Sequence, residues 1–452
     1  MSWPVWQPSW DKFGKLEQRI LNWNKIMRLK LRNRIVFVGK AKKTRRLVQI
    51  TLVSFIALSG TSGAQQVVAP PPTVNVTPPA VLEAPNEMQV FPQENPISSF
   101  PDEVQPLRLG PVTLRPHVFY QFLYGSGIQS NPGQQHDTIV QTFAPGMLLV
   151  LSPRWTLDYT PTFTFYSDKS FQNNVGQSVT LTGGASYENW NFGLMQSFTY
   201  SSSPQVQTGT QTGQENYVTA LTASAPLNSK MSVDLGVNQT LNFPDGFQSS
   251  REWSTLDWLN YEFWPRFTAG VGAGFGYVAA SPDMVFEQFQ GRIGWRATDK
   301  ISLQSSIGVQ FSQFTTGGES PLVNLIFGDT IQYQPFEHTK LSLGANQVVV
   351  PAYYQNQISV VTSVNGDLQQ RLFGKFYLDV SAGYNWNNYI AAASGVTANS
   401  SADYYSVTVQ LSTTFLKRGT VAVFYNYSDN ITDQAGLAYT SNQVGFNIGY
   451  RY

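Results

Sequence analysis

Residues 443–452 alternate without a break. Val444, Phe446, Ile448, Tyr450 and Tyr452 lie on one face, and Gln443, Gly445, Asn447, Gly449 and Arg451 on the other. Successive side chains of an extended chain point to opposite faces, so a period of two marks a strand with one apolar and one polar side. The same texture fills residues 301–312 and 267–277, where Phe267, Val271, Phe275 and Tyr277 oppose Thr268 and four glycines. These runs are longer than the roughly 5–6 residues of a globular strand and match the about 9–11 that a tilted strand needs to cross a bilayer. Unpaired backbone groups in hydrocarbon cost several kcal/mol each, so lipid-facing strands must close into a barrel.

A hairpin repeat organises the region from about 107 to 452. A short turn ends in a basic or polar residue and an apolar residue opens the next strand: Arg154-Trp155, Asn189-Trp190, Lys230-Met231, Arg266-Phe267, Lys300-Ile301, Lys340-Leu341, Lys375-Phe376 and a degenerate Arg418-Gly419. Between these turns lie polar stretches rich in Gly, Asn, Ser and Gln, notably 126–135, 202–214 and 391–403, which read as long loops at the opposite end. Counted one by one the strands number eighteen, with both ends of the barrel on the short-turn side; sixteen is the alternative if one pair fails. A β-propeller also repeats near 40 residues, but it needs four short strands per repeat, and each repeat here holds two long ones. The expected fold is all-β, a closed antiparallel transmembrane β-barrel of about 18 strands.

The chain upstream has a different composition. Residues 1–46 hold 13 of the 29 basic residues and two acids. An uncharged apolar run follows at 47–58, then small residues with Ser62 and Ala64 at the −3 and −1 places. That is the pattern of a cleaved secretory signal, over residues 1–64, cut between Ala64 and Gln65. Twelve apolar residues are too few to span a bilayer as a helix, which takes roughly 17–25. Translation from Met27 would give a shorter basic region. Residues 65–106 carry ten of the 26 prolines and five acids, which reads as an extended periplasmic linker or arm. From residue 65 onward 26 acids face 16 bases, so the exported part is acidic and offers nucleic acid no basic surface.

Within the barrel region, TFAPGM at 142–147 running into LSPRWTLDY at 151–159, the alternating hairpins and the terminal GYRY at 449–452 resemble bacterial outer-membrane proteins of the β-barrel porin 2 type. The resemblance implies a pore, and for some members a place beside exopolysaccharide export. In barrels of this kind the terminal pattern Phe446, Ile448, Tyr450 and Tyr452 looks like the signal read by the barrel-assembly machinery. The expected location is the cell outer membrane, in contact with its lipid. The expected function is a porin-like channel for passive diffusion of small hydrophilic solutes; the alternative is a component of exopolysaccharide export or surface assembly.

Residues with catalytic chemistry are sparse. The three histidines, His117, His136 and His338, show no metal-ligand spacing, and there is no Cys. No cofactor or catalytic residue is expected, and the chain does not read as an enzyme. The glycines at 270, 272, 274 and 276 alternate along one strand and are expected to thin the lumen wall. The fourth residue after the turn base is Asp158, Asp234 and Asp379 in three repeats. Carboxylates at one height near a channel mouth favour cations. The competing expectation is that they pair with lumen bases such as Arg292, Arg296 or Arg371.

Overall fold

The computed structural model describes residues 107–452 apart from 316–320, 355, 393–399, 417 and the terminal Tyr452. The signal, its Ala64–Gln65 cleavage point and the Pro-rich arm lie outside the described residues. β1 is Leu107–Leu109. The barrel strands begin β2 Val112–Asn131, β3 Gln134–Ser152, β4 Trp155–Tyr166, β5 Asn174–Tyr187, β6 Trp190–Pro204, β7 Gln211–Pro226, β8 Met231–Pro244, β9 Ser250–Trp264 and β10 Phe267–Ala279. They continue as β11 Met284–Thr298, β12 Ile301–Phe314, β13 Leu322–Phe336, β14 Thr339–Pro351, β15 Gln357–Leu372, β16 Phe376–Ala391, β17 Ser400–Phe415, β18 Gly419–Thr432 and β19 Tyr439–Arg451.

Each strand from β2 onward pairs antiparallel with its neighbour in the chain, and β19 returns to β2 from Arg451↔His117 to Asn442↔Ser126. Eighteen strands therefore close the wall, and the sixteen-strand alternative is excluded. The short β1, which the periodicity did not reveal, folds back on β2 through Leu109↔Val112. Seven of the eight strand starts predicted from the hairpin repeat fall at the expected residue; β14 opens two residues early, at Thr339 rather than Leu341.

The long loops are a correction. The stretches 126–135, 202–214 and 391–403 shrink to connections at 132–133, 205–210 and 392–399, because the strands run on for 12 to 20 residues. Polar residues with free backbone donors and acceptors still gain by pairing once a neighbouring strand is in place, whatever their side chains. The connections at this loop rim run two to eight residues, against two to four at the turn rim.

Polarity is inverted relative to a soluble protein. Gln121, Gln214 and Ser312 are at most 2% exposed, while Val271, Phe289, Ile307 and Val423 are more than half exposed. The apolar faces point outward on every strand and have nothing but the surroundings to pack against. The outer surface is that of a membrane-spanning barrel. Of the acids on its outward face, Asp329 and Asp257 stand deep within the strands, and each has a local donor. Asp329 accepts from the Ser305 hydroxyl, and Asp257 accepts the Gly236 N–H at 3.2 Å, where the β8–β9 ladder skips two pairs.

Buried apolar side chains form small clusters inside the wall near the loop rim rather than one core. One joins Leu123, Ile128, Val140, Phe171 and Phe424; another joins Val206, Tyr404 and Tyr439. The glycine strip of β10 does face inward, but it does not thin the wall into open space. Neighbouring side chains fold over it: a Cβ at Gly272 would stand 2.7 Å from the Trp258 ring, and one at Gly276 would strike Phe286. Gly272→Val is therefore expected to displace Trp258 and destabilise the barrel by about 1–3 kcal/mol. A denaturant midpoint unchanged from wild type in detergent micelles would contradict that packing.

Candidate functional site: the barrel lumen

The inward faces carry amides and hydroxyls. Asn238, Asn242, Asn260, Gln310, Gln410, Gln443 and Asn447 are all buried against the interior. Among the described residues, sixteen buried side-chain atoms, such as Gln121 Nε2, Arg292 Nη1, Asn387 Oδ1 and Gln410 Oε1, have no hydrogen-bond partner. A buried polar group without a hydrogen bond costs about 1–3 kcal/mol, so a wall built this way suits a hydrated interior and not a dry core. Eighteen strands are enough to leave an aqueous lumen. A cavity of about 500 Å³ lies against the inner wall from β8 to β15.

The structure brings one pair of the sequence candidates together. Arg292 on β11 makes an ion pair with Asp234 on β8, and its Nε donates to Asn260 Oδ1 at 2.8 Å. Asn260 in turn donates to the Asp234 carboxylate at 2.8 Å. The guanidinium also lies 4.4 Å from the centroid of the Trp258 ring. β10, between these strands, contributes Gly270 at this height, which leaves room for Arg292 to reach across it. Asp379 is buried on β16 and accepts from Gln369 at 3.2 Å.

Asp158 on β4 accepts from Thr160 at 2.8 Å, and Thr160 Oγ1 lies 3.0 Å from His117 Nε2. Because the Thr160 proton is directed at Asp158, its oxygen accepts from His117. This is the reverse of a nucleophile handing its proton to a base. The group bridges a gap in the β3–β4 ladder, which lacks pairs between Phe143↔Phe163 and Met147↔Tyr159, where Pro145 and Pro161 have no N–H to give. The three aspartates are each the fourth residue of their strand, β4, β8 and β16, stand at separate points around the wall, and do not touch. Arg296 follows Arg292 on the inner face of β11, opposite Ser302, and Arg371 donates to the Gly374 carbonyl in its own turn at 2.6 Å.

Phe446, Ile448 and Tyr450 face outward on the closing seam, where Phe446 stacks on Phe122 at 5.6 Å. His338 sits in the turn before β14. His136 meets Asp168 at the loop rim, 3.2 Å apart. The Ser170 backbone N–H donates to Asp168 at 2.7 Å and is the main reason its carboxyl is held below the usual range.

Two connections fold over the loop rim, which the sequence did not foretell. Residues 205–209 are buried, unusual for a loop. They reach the opposite wall: Val206 packs on Tyr404 and Tyr439, and Gly209 lies against Leu437, Gln129 and Pro132. Gly133 N–H donates to the Gly436 carbonyl at 2.6 Å, tying the β2–β3 turn to the β18–β19 connection. From another side, Tyr353 in the β14–β15 connection donates its hydroxyl to Gln214 on β7 at 3.3 Å. Burial pushes that hydroxyl up to about 12, so it stays a donor. Tyr353 also packs edge-on against Phe247.

No family model and no curated protein matches this sequence. Among solved structures, the chain is similar to Pseudomonas aeruginosa OccK2 (OpdF) in complex with glucuronate, at 11% identity and TM-score 0.42, over 75% of this chain and 97% of that one. It is similar to P. aeruginosa OpdO at 12% identity and TM-score 0.41, over 75% and 97%. It is also similar to the siderophore receptor PirA from P. aeruginosa at 8% identity and TM-score 0.39, over 75% and 80%. Likenesses this distant concern barrels in general and not what passes through them.

Among the described residues no three His, Cys, Asp or Glu side chains gather as a metal would require.

Proposed function

We propose that the chain is an outer-membrane channel through which small hydrophilic solutes diffuse down their gradients. The observation that carries this reading is the inverted polarity of a closed eighteen-strand sheet, apolar outside and lined with amides and hydroxyls within. A bilayer satisfies the first face and water the second; no single other environment satisfies both. Both barrel ends lie at the turn rim, which we take as periplasmic, with the loop rim outside. In the same proposal residues 1–64 are the export signal, removed at Ala64–Gln65, and 65–106 the periplasmic arm. Phe446, Ile448, Tyr450 and Tyr452 are the assembly signal, and the relationship to the β-barrel porin 2 type is part of this reading. Exopolysaccharide export is the less favoured alternative, since a roofed cavity of about 500 Å³ suits small solutes.

Proteoliposomes holding the chain are expected to swell in small solutes at a rate that falls with solute size. Swelling no faster than in protein-free liposomes, with or without residues 65–106, would overturn the channel. We further propose a cation preference set by Asp158 and Asp379, since Asp234 is already neutralised by Arg292. The double substitution Asp158→Asn/Asp379→Asn is expected to move the reversal potential in a KCl gradient towards zero. A wild-type channel without cation preference would end that proposal.

A further inference from the structure

The cavity between β8 and β15 has a chemistry that the channel reading does not require. Eleven of its lining residues are Asn or Gln and eight are Ser or Thr, against three charged residues. One of the three, Asp329, sits on the outward face of β13, opposite Ala345 on the same outward side of β14. The two inward charges are Glu252 and Arg292, of opposite sign. A side-chain amide both donates and accepts, and so does a sugar hydroxyl; a wall of amides therefore matches a ligand whose surface alternates the two roles. Asp234 already meets the charge of Arg292, so an anion entering the cavity meets Glu252, whereas a neutral polyhydroxylated solute is not repelled.

Arg292, 92% buried, has its charge met by Asp234 and its Nε by Asn260, so its charge is compensated within the wall. The cavity volume falls within the roughly 300–1,000 Å³ typical of small-molecule sites. Tyr353, from the connection that crosses the loop rim, lines it as well. We infer that this cavity is a binding site for a saccharide of one or two rings that carries no anionic group, held by wall amides such as Gln290, Asn346 and Asn365.

The inference rests on the channel reading for the way in, so its test has two readouts. The full chain, refolded in a detergent without a sugar headgroup, is titrated with maltose, glucuronate and glucosamine by calorimetry. In parallel, maltose is added to single channels in planar bilayers. Maltose is expected to give saturable heat and to block ion current saturably, with glucuronate weaker than both maltose and glucosamine. Gln290→Leu/Asn346→Leu is expected to raise the half-blocking concentration about tenfold or more, the order of two lost hydrogen bonds, while leaving the barrel's heat-modifiable gel mobility unchanged. Normal conductance without saturable heat or block would overturn the saccharide site and leave the channel standing. Saturable heat without any conductance would do the reverse. Tighter binding of glucuronate than of maltose would replace the neutral ligand by an anion and so overturn the assignment.

Discussion

Asp234→Ala is expected to lower the stability of the barrel by about 3 kcal/mol, the order seen when one partner of a buried ion pair is removed. Arg292 would keep its charge in a site only 8% exposed and lose the carboxylate that compensates it. Asn260 would lose an acceptor at the same time, because it donates to Asp234 while accepting from Arg292. The denaturant midpoint of the refolded protein reads the effect directly. Asp234→Ala combined with Arg292→Met is expected to recover most of the loss, since two apolar side chains leave no charge unpaired. If Asp234→Ala alone unfolds at the wild-type midpoint, the pair does not brace the wall. Asp234 would then return to the carboxylates that act on passing ions.

Replacing residues 206–209 by two glycines is expected to raise single-channel conductance severalfold. The strands that flank this connection already pair at Pro204↔Gln211, so a short link can close the hairpin without disturbing β6 or β7. What the change removes is a buried segment that runs to Tyr404, Tyr439 and Leu437 on the opposite wall. An obstruction inside a wide lumen limits ion flow far more than the wall does. Unchanged conductance with normal gel mobility would show that the current passes elsewhere, under the Tyr353 connection. Tyr353→Ala, which gives up the hydrogen bond to Gln214, would then be the variant that opens the channel.

Both effects depend on contacts that no local pattern announces. Asp234 and Arg292 are 58 residues apart, and each stands on a strand whose alternation says only that it points inward. That they meet depends on the register of three successive hairpins and on Gly270 lying between them. The repeat made the aspartates look like a set, each the fourth residue of its strand. Their spacing around the wall is set by strand number, and two of them have quite different neighbours: a guanidinium for Asp234, a threonine–histidine pair for Asp158. The inward fold of 205–210 was illegible for a similar reason. Gln, Thr and Gly are as suitable for a solvated loop as for one packed across a polar lumen. Ser305, interrupting an otherwise apolar face, was a readable sign that Asp329 opposes it, but only once β12 and β13 were in register.

What the sequence determined by itself was everything carried by a period of two and by turn spacing: the long strands, their inward and outward faces, their antiparallel order and a count of sixteen or eighteen. These follow from geometry within one or two hairpins, where neighbouring residues constrain each other directly. Tertiary structure alone decided how far the strands run, that β19 meets β2, which polar groups are neutralised and what roofs the lumen. Each of these depends on residues brought together by closure of the whole sheet, and closure is a property of the ring rather than of any segment in it.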